Sequence, residues 1–361
     1  ATCEASWCEL LTQGRQICAA SNLAGNLFAT GSSGPLGSFV QIWVPDEGPQ
    51  QWELRSQIEV QEPVTHLCWA HPESGLLLAA GTATGTVLVL EAPRPCALSP
   101  KTAPDSMQEE DPGKFFDAED EEDREWQMKQ QLQASQAEIC HISFAPPQYG
   151  LLLCVACVDG QVMMWEADRE LAPNSWCLQA KFKVGKKSPT TGSTSQAGSG
   201  MRLTSHGCSS MSWRKFSVGV APLLAVATQQ GVDVWQYVTQ LMAWQHVTLL
   251  QPEAGPQSCN CVHWAPPLGR PRDQVAACHG NTITIWGLTG DSSAPQTEVL
   301  ATIPLDTPVW KVEWNLFGTT LGAATEDNQV HLFKPNLAGE YQAVAYVAGV
   351  ADMDGESEKM E

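Results

Sequence analysis

Short apolar strands recur along the chain, and each ends in a bulky side chain. The six copies occupy residues 40–43, 87–90, 162–165, 232–235, 283–286 and 330–333. Upstream of five copies lies a second strand that ends in an aromatic residue, and a third apolar run lies between the two. Several short strands repeated roughly every 40 to 50 residues are typical of the blades of a β-propeller. The pattern therefore predicts an all-β fold.

The spacing between copies defines the blades and shows where the chain is enlarged. The second to third and third to fourth copies are each about 25 residues further apart than an ordinary repeat, which indicates insertions. We predict a single β-propeller over residues 1–347 with six four-stranded blades. The predicted blades are about 15–60, 61–137, 138–184, 205–250, 257–304 and 307–347.

Three segments lack the apolar pattern of the repeats. Residues 93–125 form an acidic, Pro-rich insertion, 185–204 a Ser/Thr/Gly-rich loop, and 348–361 an acidic tail. Such compositions bury too little apolar surface to offset the entropy of ordering, so we expect disorder or flexibility in all three. The acidic insertion is either solvated surface or a docking arm for a basic partner. Residues 126–133 are either the delayed outer strand of the second blade or a short helix.

The overall charge limits the classes of ligand. The formal net charge is −20, whereas phosphate binding requires clustered Lys and Arg. We therefore expect no direct contact with nucleic acid or with an anionic membrane surface. No apolar run approaches membrane-spanning length and the first residues show no apolar signal core, so we expect neither secretion nor insertion.

Thirteen cysteines raise the question of a metal or redox site. Cys154 and Cys157 have the CxxC interval, but residues three apart on a strand point to opposite faces. Cys259 and Cys261 would face the same side, yet no second pair accompanies them at zinc-ribbon spacing. We expect free, buried thiols in a reducing compartment and no metal site.

No catalytic motif emerges from the sequence. His71, His141, His263 and His331 have no acidic or Cys partner at a recognisable catalytic spacing, and phosphate-loop, GxSxG and HExxH motifs are absent. Asp159 and Asp327 lie at predicted turns, where we interpret them as structural. We expect no catalytic residue, no cofactor and no enzyme activity.

Particular stretches of the sequence resemble the Seh/Sec-thirteen family of WD-repeat coat proteins. The stretches are residues 69–79 in the second blade, 143–146, 149–151, 158–160 and 174–178 in the third, 208–213 in the fourth and 265–270 in the fifth. Residues 144–146 (Phe-Ala-Pro) and 309–315 with 318–319 point to the nucleoporin Seh branch. The second copy departs from the pattern because it ends in Leu90, and most Gly-His and Trp-Asp signatures are missing.

The resemblance implies an incomplete six-bladed ring that a partner completes. An α-helical scaffold nucleoporin would insert a blade of its own strands between the first and last blades. The chain would then be a structural subunit of the Y-shaped coat of the nuclear pore, with other Y-complex subunits as further partners. The resemblance also implies a second assembly, the coat-like complex that regulates TOR signalling at the lysosomal or vacuolar membrane surface.

Two other functions remain open at this point. One is a vesicle-coat (COPII) subunit like those of the Sec-thirteen branch, and the other is a WD-repeat substrate adaptor. For partner binding by the edge blades, we select candidates on the first and last predicted blades. They are Ile17, Ala19, Trp310, Val312, Trp314 and Tyr341.

Overall fold

The computed structural model describes ten stretches of the chain. They are residues 15–35, 37–45, 52–92, 126–167, 175–185, 207–215, 221–267, 269–270, 272–290 and 294–348. The acidic insertion 93–125 lies outside the described residues, as do all but the first residue of 185–204 and of the tail 348–361.

The described residues form six four-stranded antiparallel sheets, each built from consecutive strands. The first sheet contains β1 (Arg15–Ser21), β2 (Phe28–Gly34), β3 (Gly37–Pro45) and β4 (Trp52–Val60). The second contains β5 (Val64–Trp69), β6 (Leu77–Thr82), β7 (Thr86–Glu91) and β8 (Gln127–Gln133). The third contains β9 (Ile139–Phe144), β10 (Leu152–Cys157), β11 (Gln161–Ala167) and β12 (Trp176–Lys183).

The last three sheets repeat this order. The fourth contains β13 (Cys208–Trp213), β14 (Leu223–Thr228), β15 (Gly231–Val238) and β16 (Ala243–Leu250). The fifth contains β17 (Cys261–Trp264), β18 (Asp273–His279), β19 (Thr282–Thr289) and β20 (Gln296–Pro304). The sixth contains β21 (Val309–Trp314), β22 (Leu321–Thr325), β23 (Gln329–Pro335) and β24 (Tyr341–Ala348).

Helix is limited to two short 3-10 turns, Pro72–Ser74 and Pro147–Tyr149, among the described residues. The predicted all-β class with six four-stranded blades is confirmed. Of the two alternatives for residues 126–133, the strand is correct, because β8 pairs with β7.

Tight turns join the second and third strands of the sheets and depend on residues that tolerate positive φ. Gly85 and Gly160 both have φ of 82°, and Asn328 has φ of 58° at the corresponding turn of the sixth sheet. A Cβ on Gly85 would lie 2.3 Å from the carbonyl oxygen of Ser135, so this turn also needs the small residue for close approach.

The two aspartates that we interpreted as structural make hydrogen bonds within these turns. An Oδ atom of Asp159 accepts from the backbone N–H of Gln161 at 3.0 Å. Asp327 accepts from the hydroxyl of Thr325. Such bonds satisfy backbone and side-chain groups of the turn, as Asx residues commonly do.

The chain divides into two compact units. The first consists of Ala1–Phe144 and Ala167–Ser175, and the second of Ala145–Glu166 and Trp176–Glu361. The prediction of one propeller domain over residues 1–347 stays a prediction.

In the first unit, a hydrophobic cluster joins the facing sides of the first and second sheets. Val40 and Ile42 of β3 pack there with Leu67 and Trp69 of β5, and all four are buried. The indole N–H of Trp69 donates to the carbonyl oxygen of Ala20 at 3.0 Å. Face-to-face packing therefore holds neighbouring sheets together in this unit.

In the second unit, two clusters follow the same principle. One joins the fourth and fifth sheets through residues such as Leu250, Trp264 and Trp286. The other joins the fifth and sixth sheets through Ile283, Ile285 and Phe333. The fifth sheet is thus covered on both faces, which explains the continuous apolar run 275–278 in β18.

Candidate protein-binding surface

The covered face of the sixth sheet packs against the fifth. Its side chains in the shared cluster come from three strands, and they are Val309, Val312, Trp314, Leu321, Ala323 and Phe333. The fifth sheet contributes Ile283 and Ile285, both fully buried. Directly paired residues of antiparallel strands lie on the same face, so the register determines which side chains lie on the opposite face of the sixth sheet.

The part of that opposite face formed by β23 and β24 is apolar and largely exposed. Val330 pairs with Val347, and Leu332 with Ala345. The corresponding pairs of the fifth sheet are Ile283 with Ile303 and Ile285 with Ala301, and those side chains pack against the sixth sheet. Val330 is 39% exposed and Val347 60% exposed. The sixth sheet therefore exposes the kind of face that the fifth sheet covers with its neighbour. We call the set Val330, Leu332, Ala345 and Val347 the free face.

The first strand of each sheet is its innermost strand. Hydrogen bonds that link the innermost strands also differ between the sixth sheet and the two sheets before it. The side chain of Ser209 donates to the carbonyl oxygen of Cys259 at 2.5 Å, which links the fourth sheet to the segment that leads into the fifth. One repeat later, Asn260 donates to the carbonyl oxygen of Val309 at 3.3 Å. The position equivalent to Ser209 and Asn260 on β21 is Trp310, because the register shifts around it as around Ser209.

Trp310 breaks this series of polar linking residues. Its side chain is 60% exposed. Lys311 and Glu313 follow on the same strand and form an exposed ion pair at 3.2 Å. By register they lie on the side of the sheet that carries the free face. The free face is therefore bordered at its inner strand by an exposed indole and an exposed charge pair.

The first sheet differs from the sixth in the face that lies opposite its hydrophobic cluster. Thr30, Gln41 and Trp43 lie on the face opposite to the hydrophobic cluster and are buried. The indole N–H of Trp43 donates to the Thr30 hydroxyl at 3.0 Å, and the amide of Gln41 donates to Gln57 at 3.1 Å. Buried polar side chains are normally hydrogen-bonded, and these bond to one another. This face of the first sheet is therefore polar, whereas the free face of the sixth sheet is apolar.

The six candidates chosen from the sequence lie in three kinds of position. Trp310 and Ala19 are exposed. Ile17 lies in β1 at the register shift between Gln16 and Cys18. Contact between any of these three and a partner stays a prediction.

The other three candidates lie on the covered face of the sixth sheet. Val312 and Trp314 are buried against the fifth sheet. Tyr341 packs edge-on against Trp314 with ring centroids 5.9 Å apart, and its hydroxyl donates to Gln274 at 3.2 Å. In this position they hold the sheet on which the free face lies, and their contact with a partner is an untested prediction.

Sequence reasoning missed the free face itself. Val330 and Leu332 belong to the sixth copy of the strand motif and alternate with His331 and Phe333. The same alternation occurs in the fifth copy, where both faces are buried. The sequence signal that distinguishes the exposed sixth copy from the buried fifth copy is Trp310. It is a large apolar residue at the position where the fourth and fifth sheets have Ser209 and Asn260.

A half-buried histidine joins the inner strands of the fifth and sixth sheets. The backbone N–H of Trp314 donates to Nδ1 of His263 at 2.9 Å, which requires an unprotonated Nδ1. Burial lowers the pKa of His263 from 6.5 to about 4, with Lys215 and Lys311 acting in the same direction and Glu313 opposing them. The imidazole is therefore neutral in the folded protein near neutral pH.

We expect this histidine to make stability depend on pH. Between about pH 6.5 and 4 the unfolded chain binds a proton at His263 that the folded chain does not. The free energy of unfolding therefore falls as pH falls through this window, by up to about 1.4 kcal/mol per pH unit. Urea unfolding at a series of pH values measures the slope.

The control variant is His263→Asn, whose side-chain oxygen can accept the same hydrogen bond but does not titrate. It should flatten the pH dependence between about pH 6.5 and 4.5 relative to the wild type. Burial raises the pKa of Glu313, but attraction by Lys311 and His263 and the hydrogen bond from Lys311 together hold this pKa below 4.5. The stability that depends on ionised Glu313 is therefore lost at lower pH than the window of His263. Identical slopes in variant and wild type would show that His263 titrates normally in the fold.

The described residues contain no group of three or more His, Cys, Asp or Glu side chains arranged to hold a metal ion. All ten described cysteines are free thiols. Burial raises the pKa of Cys18 to about 12 and that of Cys68 to about 11, so these thiols are poor nucleophiles. In the described part of the chain, no helix combines the length and apolarity needed to cross a membrane.

Comparison with known proteins identifies relatives along most of the chain, although no family model matches it. The SEC13 homolog of Drosophila melanogaster is 25% identical over 81% of this chain and 70% of its own length. Protein transport protein sec13 of Aspergillus fumigatus is 26% identical over 77% of this chain and 79% of its own. Nucleoporin SEH1-A of Xenopus laevis is 22% identical over 88% and 82%.

Solved structures share the fold at lower sequence identity. Sqt1 from Chaetomium thermophilum has a TM-score of 0.60 and 16% identity, covering 93% of this chain and 72% of that one. A chain from the outer coat vertex of COPII on membranes has a TM-score of 0.56 and 13% identity, covering 89% and 72%. These likenesses confirm the WD-repeat β-propeller class. The relatives named above are SEC13 and SEH1 proteins, and the resemblance of this chain to the Seh/Sec-thirteen family of WD-repeat propeller proteins is thereby confirmed.

Proposed function

We propose that the chain is a structural scaffold subunit of a coat complex and that it binds an α-helical coat subunit through the free face of its sixth sheet. The observation that supports this most directly is the exposure of Val330 and Val347, because their counterparts in the fifth sheet pack against the sixth, with Ile283 fully buried and Ile303 half-buried. An inserted blade from a partner would cover the free face as the sixth sheet covers the fifth.

The proposed docking uses side chains on a sheet face. In each described sheet the four strands pair in sequence order, so a blade inserted beside the sixth sheet would meet the side chains of the free face. Recognition would therefore depend on apolar packing against Val330, Leu332 and Val347, with Trp310 as a large aromatic anchor near the inner strand.

Within coat complexes, we propose the Y-shaped coat of the nuclear pore as the assembly, with the nuclear envelope as the location. The Phe-Ala-Pro stretch at 144–146 and the stretch 309–315 favour the nucleoporin branch, and nucleoporins are among the relatives. The vesicle coat is the second candidate, because proteins named for transport are also among the relatives. The relatives give no support to a lysosomal location, which we leave out of the proposal.

Affinity purification of the tagged full-length chain, followed by mass spectrometry, tests the choice of assembly. Recovery of helical nucleoporins supports the nuclear pore. Recovery of vesicle-coat cage subunits in their place would assign the chain to the second candidate. Recovery of a ubiquitin-ligase scaffold with neither coat would overturn the scaffold role and favour a substrate adaptor.

Deletion of residues 105–125 tests the acidic docking arm. We expect the deletion variant to bind the recovered partner with unchanged affinity, because charge runs in insertions are usually solvated. Affinity measured at low and at physiological ionic strength checks this, since a charged arm would act mainly at low salt. A clear drop in affinity on deletion would establish the insertion as part of the binding site.

A further inference from the structure

The outermost strand of the sixth sheet, β24, is uncharged and exposed along almost its whole length. Its sequence Tyr-Gln-Ala-Val-Ala-Tyr-Val-Ala contains no Asp, Glu, Lys, Arg, Pro or Gly. Seven of the eight residues are exposed, and only Tyr341 is partly buried. Val344 and Tyr346 are 54% and 69% exposed. A long apolar edge strand without charges readily pairs with another strand.

The other outermost strands are protected against such pairing. Charged residues occur on β4, β8, β12 and β20, among them Lys129, Lys181 and Glu298. The strand β16 has no Lys, Arg, Asp or Glu, but its Trp244 stacks on Phe182 and its Leu250 is buried. Among the six outermost strands, β24 alone combines the lack of Lys, Arg, Asp and Glu with exposure of seven of its eight residues.

One edge of β24 could pair with an added strand. Within the described residues its one strand neighbour is β23, with which it pairs from Tyr341 to Ala348. Tyr341 fixes its first residue by packing on Trp314. The backbone groups on the other edge of residues 343–348 are thus held in an extended conformation on a well-anchored strand.

We propose that β24 is a second binding site, which takes an extended apolar segment of another protein as a fifth strand of the sixth sheet. Backbone hydrogen bonds would supply the affinity and alternate apolar side chains the register, as in other cases of strand addition. This site differs from the free face, because it uses the backbone edge of one strand and not the side chains of the sheet. It does not depend on the identity of the coat partner.

Charge indicates the chemistry of the added segment. Glu340 precedes β24, and residues 349–361 contain five acidic residues and one lysine. A second copy of this chain would bring the same acidic flanks together, and its net charge of −20 would add to the repulsion. An apolar strand with Lys or Arg next to it would instead be attracted. We therefore assign the site to a partner segment with basic flanks, not to a second copy.

Three fluorescein-labelled peptides test the proposal with the full-length protein. They are KKVTVYVTV, its charge-reversed form EEVTVYVTV, and KKVTPYPTV, in which proline removes backbone donors. We expect the first to bind at least about tenfold more tightly than either of the others at low salt, by fluorescence anisotropy. Hydrogen exchange should show protection of amides within residues 343–348 only when the first peptide is bound.

Matched substitutions place the site on β24. Val344→Lys should weaken binding of the first peptide at least about tenfold, because a charge on an edge strand blocks pairing. Thr297→Lys, at an exposed position of the outer strand β20, should leave binding unchanged. Absence of binding, equal binding of the three peptides, or binding without protection of residues 343–348 would each overturn the proposal.

Discussion

A Val330→Lys, Val347→Glu double variant is expected to lose at least about 100-fold in affinity for the coat partner recovered by purification. Covering two charged side chains with an apolar partner blade costs several kcal/mol of desolvation, and each 1.4 kcal/mol is about a factor of ten. The two residues pair directly across β23 and β24, so the opposite charges should keep the hairpin itself stable. Titration calorimetry with the purified partner fragment measures the loss.

The variant should retain the fold of the wild type. Both positions are exposed, and substitutions at exposed sites usually change stability by about 0.5 kcal/mol or less. Thermal unfolding of the isolated chain checks this. A loss of affinity accompanied by an equal loss of stability would mean that the free face is part of the core.

A second pair on the same hairpin is the control. His331 pairs with Tyr346 one position away, on the opposite face. The variant His331→Lys, Tyr346→Glu introduces the same charges on the same strands and should leave partner affinity within about twofold, because this face is outside the proposed contact. Equal losses in both double variants would show that charge on the hairpin, and not the free face, decides binding.

The repeat pattern predicted the strands of each sheet well because the apolar periodicity is local. The motifs at 283–286 and 330–333 each form the third strand of a sheet, with a register shift at the same place in both. Bulky residues such as Trp286 and Phe333 mark that shift. The covered side of each strand then follows from alternation alone.

The candidate surface could not be derived in the same way. Whether Val330 is buried depends on what lies against the sheet, and that is a property of the whole repeat array. Residues 283–286 and 330–333 have the same alternation, yet the first strand is covered on both faces and the second on one. Val312 and Trp314 are candidates from the sequence because they belong to the last blade, and the register places them on its covered face.

Trp314→Ala is expected to lower the free energy of unfolding by about 3 to 5 kcal/mol, the usual cost of truncating a buried aromatic side chain. Trp314 is 3% exposed. Its ring packs edge-on against Tyr341, and the guanidinium of Arg270 lies 5.7 Å from the ring centroid. Removal of the ring leaves a cavity between the fifth and sixth sheets, which urea unfolding would report as a lower midpoint.

Trp310→Ala is the matched variant, since both tryptophans lie on β21. Trp310 is 60% exposed, so we expect its loss to change stability by about 0.5 kcal/mol or less and to weaken partner binding at least about tenfold. The folded fraction of Trp314→Ala should bind the partner with near wild-type affinity, because its side chain faces the fifth sheet. If Trp310→Ala destabilised the chain as much as Trp314→Ala does, the indole would belong to the core and the free face would lose its anchor. If Trp310→Ala left both stability and binding unchanged, the inner strand would lie outside the contact, and recognition would depend on Val330 and Val347 alone.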